Sequence, residues 1–371
     1  MQNPTYDEKG GIIDILENTE SKKNVCVKNT RNGYNFFEQL LLKYSKRVNY
    51  LLDENRKYKC RQEKIPQVLR IGPTNRCAAR CFYCPREHVH KNGTGYMDFY
   101  MFEKIMEWAR KNNVKKISFA LFGEPLLHPR ILDMFKMVKD SGMKMNFSSN
   151  GIVLKKELAD ELMKYDFEDI EFSMDGFSRE EYLVGKQIDK YDEAKENILY
   201  FLEKSKEKKS KTIFNIHFVD IGHVSFAHKI RFIKYWQEKL KGLKSATSFY
   251  YEPHNWAGTT DDLKNKMSFI DRILSKFELK KPCRYIKGLN INWNGDVLIC
   301  TNDPTQEAIL GNINEKSIED VYNNEKRMKY LNENETGHFA ETNCGACTVN
   351  SVLPFMFVKK RIINYVATLF I

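Results

Sequence analysis

Between residues 67 and 251 the chain alternates short apolar runs with longer amphipathic stretches, and this alternation limits the folds open to it. The runs Val68–Ile71, 116–121, 144–148, 169–174, 212–219 and Thr247–Tyr251 have the length and composition of strands. The stretches between them carry helical spacing and helix-end signals. Asp98 is a good N-cap, Ile131–Asp140 closes on Gly142, and a further helix is expected over 155–164. Six β-α units in series imply a parallel sheet. Right-handed crossovers would curl that sheet into a partial barrel. The expected fold class is α/β: a partial (β/α)6 barrel of TIM type with a small C-terminal α+β part.

The loop after the first run holds Cys77, Cys81 and Cys84 at the spacing C-x3-C-x2-C, with Tyr83 just before the last cysteine. Three thiolates this close can hold three irons of a [4Fe–4S] cluster and leave the fourth iron open to a ligand. Zinc is the competing occupant, but it prefers four protein ligands. No fourth Cys or His lies at zinc-knuckle spacing, and His88 and His90 fall in a polar loop beside Lys91, Asn92 and Gly93. In parallel barrels the chemistry sits in loops after the C-terminal ends of strands. Phe122-Gly123-Glu124-Pro125 follows the second run, Ser148-Ser149-Asn150-Gly151 the third, and Ser173-Met174-Asp175-Gly176 ends the fourth.

With these motifs the chain resembles the radical S-adenosylmethionine (radical SAM) enzymes, which are defined by this cysteine triad. The resemblance implies that SAM binds the open iron through its amino and carboxylate groups. One electron then cleaves SAM, giving a 5′-deoxyadenosyl radical that removes a hydrogen atom from the substrate. Gly123, Glu124 and Pro125 look like the segment whose backbone holds the SAM amino group in relatives. Asn150, Ser173 and Asp175 match positions that contact the ribose and the methionine portion, and Tyr83 matches the residue packed by the adenine. Relatives place an arginine four residues after a tyrosine to pair with the SAM carboxylate. Here the tyrosine is Tyr182 and the matching residue is Lys186, a point charge that cannot form the bidentate pair. Lys186 is expected to bind the carboxylate less rigidly; the competing reading is a surface lysine. Trp256, in His254-Asn255-Trp256-Ala257-Gly258, is either a substrate wall or core packing.

Cys283, Cys300, Cys344 and Cys347 form a second set. Asn294-Gly295, between two apolar-rich runs, signals a two-residue hairpin that returns Cys300 towards Cys283. A helix from Ser317 follows, with Asp320 completing a capping box. This part resembles the SPASM/twitch extensions of radical SAM enzymes, whose opening signature fits Cys283, Gly295 and Cys300. No cysteine follows Cys347, so the resemblance implies one auxiliary [4Fe–4S] cluster. That is the twitch version, found in 2-deoxy-scyllo-inosamine dehydrogenases. Structural zinc remains the other reading of four thiolates. The expected domains are an extension over 1–65 with a helix near 35–53, a core over 66–260, a cluster-binding domain over 261–350, and an apolar tail over 351–371.

The 371 residues, 42% hydrophobic and 13% aromatic, suffice for a large domain and a smaller one. The N-terminal sequence is no secretory signal, and no apolar stretch reaches the ~18 residues of a membrane span. Nine cysteines, seven of them in cluster spacings, fit a reducing cytoplasm. A net charge of +11 suits an acidic electron donor such as flavodoxin or ferredoxin, or an anionic substrate. Charge without a nucleic-acid motif does not indicate DNA or RNA. The single auxiliary site points to an oxidoreductase, a dehydrogenase of a sugar, aminocyclitol or sugar conjugate, with Glu252 and His254 as base candidates. The alternative is a peptide-modifying maturase, which would want a leader-binding module that residues 1–65 do not supply. A non-enzymatic iron–sulfur or zinc module leaves the loop motifs unexplained.

Overall fold

The computed structural model describes residues 65–352 apart from 245, 252, 260–278, 281, 282, 284, 337, 338, 340, 341, 348 and 350. The helix expected near 35–53, the base candidate Glu252 and most of the apolar tail lie outside the described residues. Six parallel strands form where the sequence places them: β1 (Val68–Ile71), β2 (Lys116–Phe119), β3 (Lys144–Ser149), β4 (Asp169–Ser173), β5 (Ile213–Val219) and β6 (Thr247–Tyr251). They lie side by side in chain order, as serial β-α units require. The fold is α/β with a mostly parallel sheet.

The helices are α1 (Arg86–Val89), α2 (Phe99–Lys111), α3 (Ile131–Asp140), α4 (Lys156–Leu162), α5 (Arg179–Lys186), α6 (Tyr191–Glu207) and α7 (Phe226–Leu240). Asp98 caps α2, its carboxylate accepting the Met101 N–H at 3.2 Å. Gly142, at φ +68°, follows the end of α3.

A sheet buried on both faces reads as continuous apolar runs. Here burial alternates along β1, β3, β4 and β6, so only one face is sealed by helices. On that face Phe119, Phe147, Phe172, Phe214 and Phe218 pack against Phe135 of α3, Phe201 of α6 and Phe232 of α7. The alternate positions on the other face are mostly polar; they include Asn146, Asp169, Glu171, Ser173, Asn215 and His217.

The C-terminal part joins the same sheet. β8 (Leu289–Ile291) runs parallel to β1, and β9 (Asp296–Leu298) and β10 (Ile309–Asn312) extend the edge antiparallel. The Asn-Gly hairpin exists, but its loop has three residues rather than two: Asn292 N donates to Asp296 O at 2.8 Å, leaving Trp293, Asn294 and Gly295 outside the ladder. Gly295 at φ +90° supplies the left-handed residue that such a loop needs. α8 (Ile318–Tyr322) is capped by Ser317, but the Asp320 carboxylate takes the Ser317 hydroxyl at 2.7 Å instead of closing the expected box. α9 (Glu325–Thr336) completes this part, and β7 (Leu279–Lys280) pairs with β11 (Ser351–Val352) apart from the main sheet. No helix among the described residues is long and apolar enough to cross a membrane.

Candidate active site

Cys77, Cys81 and Cys84 stand on the loop leaving β1, and this loop is fastened by its backbone. Arg80 N and Phe82 N donate to the carbonyls of Lys186 and Gly185 at 3.0 and 2.9 Å, so the C-terminal end of α5 holds it. On the other side Glu124 N donates to Arg76 O at 2.8 Å. Gly123, at φ +86°, makes that approach; a Cβ there would stand 2.2 Å from Thr74 O and 2.9 Å from Arg76 O.

Burial pushes the Cys77 thiol up to about 11 and the Cys84 thiol up to about 12, and neighbouring thiols push the same way. Such a trio stays protonated unless a cation takes up its charge. Donors suited to a thiolate are in place on Cys77: Ala79 N at 3.4 Å and Asn150 Nδ2 at 3.5 Å from Sγ. These features fit iron ligation by the three cysteines.

Asp175 gathers the next shell. It is 0% exposed, and Tyr83 OH donates to its Oδ2 at 2.7 Å while Val219 N donates to Oδ1 at 3.1 Å. Lys186 is no surface lysine: it is 1% exposed, its Nζ donating to Ser173 Oγ at 2.7 Å and lying 3.3 Å from Asp175 Oδ2. Burial works against its charge, but Asp175 and the nearby Cys81 outweigh that and raise its pKa above the ordinary value. Glu124 is equally enclosed. Its carboxylate accepts Asn150 N at 2.8 Å and Leu126 N at 3.3 Å, tying the loops after β2 and β3 together, and burial raises it to about 7.

Cys283, Cys300, Cys344 and Cys347 line one recess with Ala257, Ile299 and Tyr330. Asn334 of α9 clamps the Cys283 backbone, accepting from its N at 2.6 Å, and Asn302 N donates to Cys300 Sγ at 3.3 Å. Burial, then Cys283, raises Cys300; burial pushes Cys344 up to about 12. Among the described residues no three ligand side chains stand close enough to share a single ion. Each iron of a cluster takes its own thiolate, so four cysteines lining one recess fit a cluster.

Residues 71–224 match the family described as Radical SAM superfamily, and residues 283–348 match an iron–sulfur cluster-binding domain, SPASM. The chain carries a radical SAM domain and a SPASM domain. Its cofactors are a SAM-binding [4Fe–4S] cluster, SAM and auxiliary iron–sulfur chemistry in the SPASM part. A 110-residue stretch is 39% identical to the tungsten-containing aldehyde ferredoxin oxidoreductase cofactor-modifying protein of Pyrococcus furiosus, covering 29% of this chain and 31% of that one. The SAM-dependent 2-deoxy-scyllo-inosamine dehydrogenase of Niallia circulans is 22% identical over 78% of this chain and 96% of its own. The fold is similar to that of BtrN in complex with AdoMet and 2-DOIA (TM-score 0.50, 18% identity, 76% of this chain and 93% of that one). It is also similar to that of anSMEcpe with bound AdoMet and Kp18Cys peptide (TM-score 0.52, 16% identity, 72% and 83%).

In this radical SAM protein the expected SAM-site residues Tyr83, Gly123, Glu124, Asn150, Ser173, Asp175 and Lys186 come together around the first cysteine loop. Pro125 starts the short 3-10 turn that follows Glu124. His254 stands elsewhere: it packs edge-on against Trp256 at 4.2 Å and bonds to Asn302, and burial lowers its pKa to about 4. Sequence reasoning missed a chain of polar groups on the mostly polar face of the sheet. Tyr251 OH lies 3.0 Å from His217 Nε2, and His217 Nδ1 faces Glu171 Oε1 at 3.0 Å. Each is a single polar residue in a strand, and only the adjacency of β4, β5 and β6 reveals them as a set.

Proposed function

We propose that this radical SAM enzyme is an oxidoreductase that removes hydrogen from a hydroxyl-bearing carbon of a sugar, aminocyclitol or sugar conjugate. The observation that carries this reading is the Tyr251–His217–Glu171 chain on the polar side of the sheet. The likeness to a dehydrogenase over 96% of that enzyme's length supports it.

In this reading Cys77, Cys81 and Cys84 hold the cluster, and SAM on it supplies hydrogen-atom abstraction. Lys186 presents a fixed cation to the SAM carboxylate, held in place by Asp175 and Ser173. Glu124 and Asn150 keep the loops after β2 and β3 in register with the cysteines. The substrate's hydroxyl proton passes to Tyr251 Oη as the Tyr251 proton moves to His217 Nε2, and the one electron left on the substrate would pass to an auxiliary cluster held by Cys283, Cys300, Cys344 and Cys347. Nε2, which faces Tyr251, is the accepting nitrogen, and the imidazolium that forms has the Glu171 carboxylate 3.0 Å from Nδ1 to offset its charge. Burial, then Glu171, raises the Tyr251 phenol, so it relays a proton rather than standing ionised. Burial works against the Glu171 charge, but the His217 ring beside it holds its pKa below the ordinary value.

The test is anaerobic incubation with SAM, a one-electron reductant and a panel of polyols and aminocyclitols deuterated at their carbinol carbons. Deuterium in 5′-deoxyadenosine, with one ketone formed per deuterium moved, is expected. Deuterium transfer from no polyol, together with a modified peptide recovered from the purified protein, would overturn the proposal in favour of peptide chemistry.

A further inference from the structure

The segment after β6 touches both cysteine sites, and the proposed reaction gives it no task. On one side the Trp256 indole N–H donates to the carbonyl of Tyr83, the neighbour of Cys84, at 2.6 Å. The same ring lies 6.0 Å from Phe122, which precedes Gly123. On the other side the segment reaches the quartet at three points. His254, in contact with the Trp256 ring, bonds to Asn302, whose own N–H donates to Cys300 Sγ at 3.3 Å. Asn255, 3% exposed, donates its amide to Ala346 O at 2.8 Å, between Cys344 and Cys347. Ala257 forms part of the wall of the quartet's recess.

The backbone here is strained. Trp256 and Ala257 are consecutive non-glycine residues with φ of +46° and +57°. Side chains disfavour that region, and such strain persists only where the surroundings over-determine it. The bond to Tyr83 and the bonds to Asn302 and Ala346 pull on the segment from two directions and hold it there.

We infer that this strap is the electron path between the two cluster sites, with Trp256 as its bridge. The path runs from Cys300 through Asn302 and His254 to the Trp256 ring, and from its N–H to the Tyr83 carbonyl and Cys84. One electron leaves one cluster, which is oxidised by one unit, and reduces the other by one; no bond in the strap forms or breaks and no proton moves. The inference rests on both cysteine sets holding clusters and is independent of the substrate.

The test uses the full chain, reconstituted anaerobically and given one electron equivalent per chain by a photoreduced deazaflavin, without substrate. Freeze-quench EPR follows how the electron redistributes between the two clusters, and a redox titration gives their potentials. Trp256→Leu is expected to slow redistribution by roughly an order of magnitude, with iron content and both potentials unchanged, and Trp256→Phe to recover part of the rate. Equal rates in wild type and Trp256→Leu would overturn the inference, as would a slowed rate that appears only with shifted potentials. If Trp256→Leu fails to hold both clusters, His254→Leu, which cuts the path nearer Cys300, is read by the same criteria. A wild-type protein with only about four irons would instead overturn the two-cluster reading itself.

Discussion

Asp175 receives Tyr83, Val219 and the Lys186 ammonium in a place that water does not reach. Removing one partner of a buried ion pair leaves the other charge uncompensated, which costs roughly 3–5 kcal/mol. Lys186→Met should therefore destabilise the protein by about that amount and abolish measurable SAM binding, whereas Asp175→Asn/Lys186→Met should recover much of the stability but not the binding. Denaturant titration and equilibrium dialysis with SAM check both; a single variant as stable as wild type would contradict the pairing. Glu124 gives a pH effect. Its folded pKa is raised from 4.5 to about 7, so its contribution is full below pH 4.5 and is lost as pH rises through 7. The loss amounts to roughly 3 kcal/mol at about 1.4 kcal/mol per unit. The apoprotein's thermal midpoint should fall between about pH 4.5 and 7, and Glu124→Gln should flatten that fall. An unchanged slope in the variant would assign the pH dependence to other groups.

Among the elements, α5 links local sequence to the site most directly. Ser178 and Glu181 form a complete capping box at its start, and its last carbonyls hold the cysteine loop at its end. Loss of an N-cap costs about 1 kcal/mol. Ser178→Ala should lower the unfolding free energy by that amount and weaken retention of iron at the first site, with the quartet's iron unaffected; equal loss from both sites would contradict the link. The six strands and the cap at Asp98 could be read from sequence because they depend on local patterns: apolar runs of strand length, and a side chain that bonds three residues ahead. The second capping box failed because the Asp320 side chain bonds the Ser317 hydroxyl instead of reaching back to the backbone. The hairpin loop was misjudged by one residue because Asn292, rather than Trp293, closes the ladder. The cysteines and the residues expected around SAM could be named from short motifs after the strands, and the structure brings the first cysteine loop and its expected neighbours together. The chain Tyr251–His217–Glu171 and the bond from Trp256 to Tyr83 could not be named this way, because each joins residues tens or hundreds of positions apart.

On the scale of the whole molecule, the two cysteine sites are parts of one framework. β8 hydrogen-bonds to β1, the strand that leads into the first cysteine loop, so the SPASM part continues the barrel's own sheet. The strap at Trp256 joins the two sites a second time. The account depends on both sites holding iron, because only then does a hydrogen abstraction leave an electron with somewhere to go. The most direct measurement is iron, acid-labile sulfide and zinc per chain after anaerobic purification and reconstitution. The account predicts roughly eight irons with matching sulfide and no stoichiometric zinc, falling to about four when Cys283, Cys300, Cys344 and Cys347 are replaced by alanine. About four irons together with one zinc would contradict it, making the quartet a structural site and leaving the proposed oxidation without an electron acceptor.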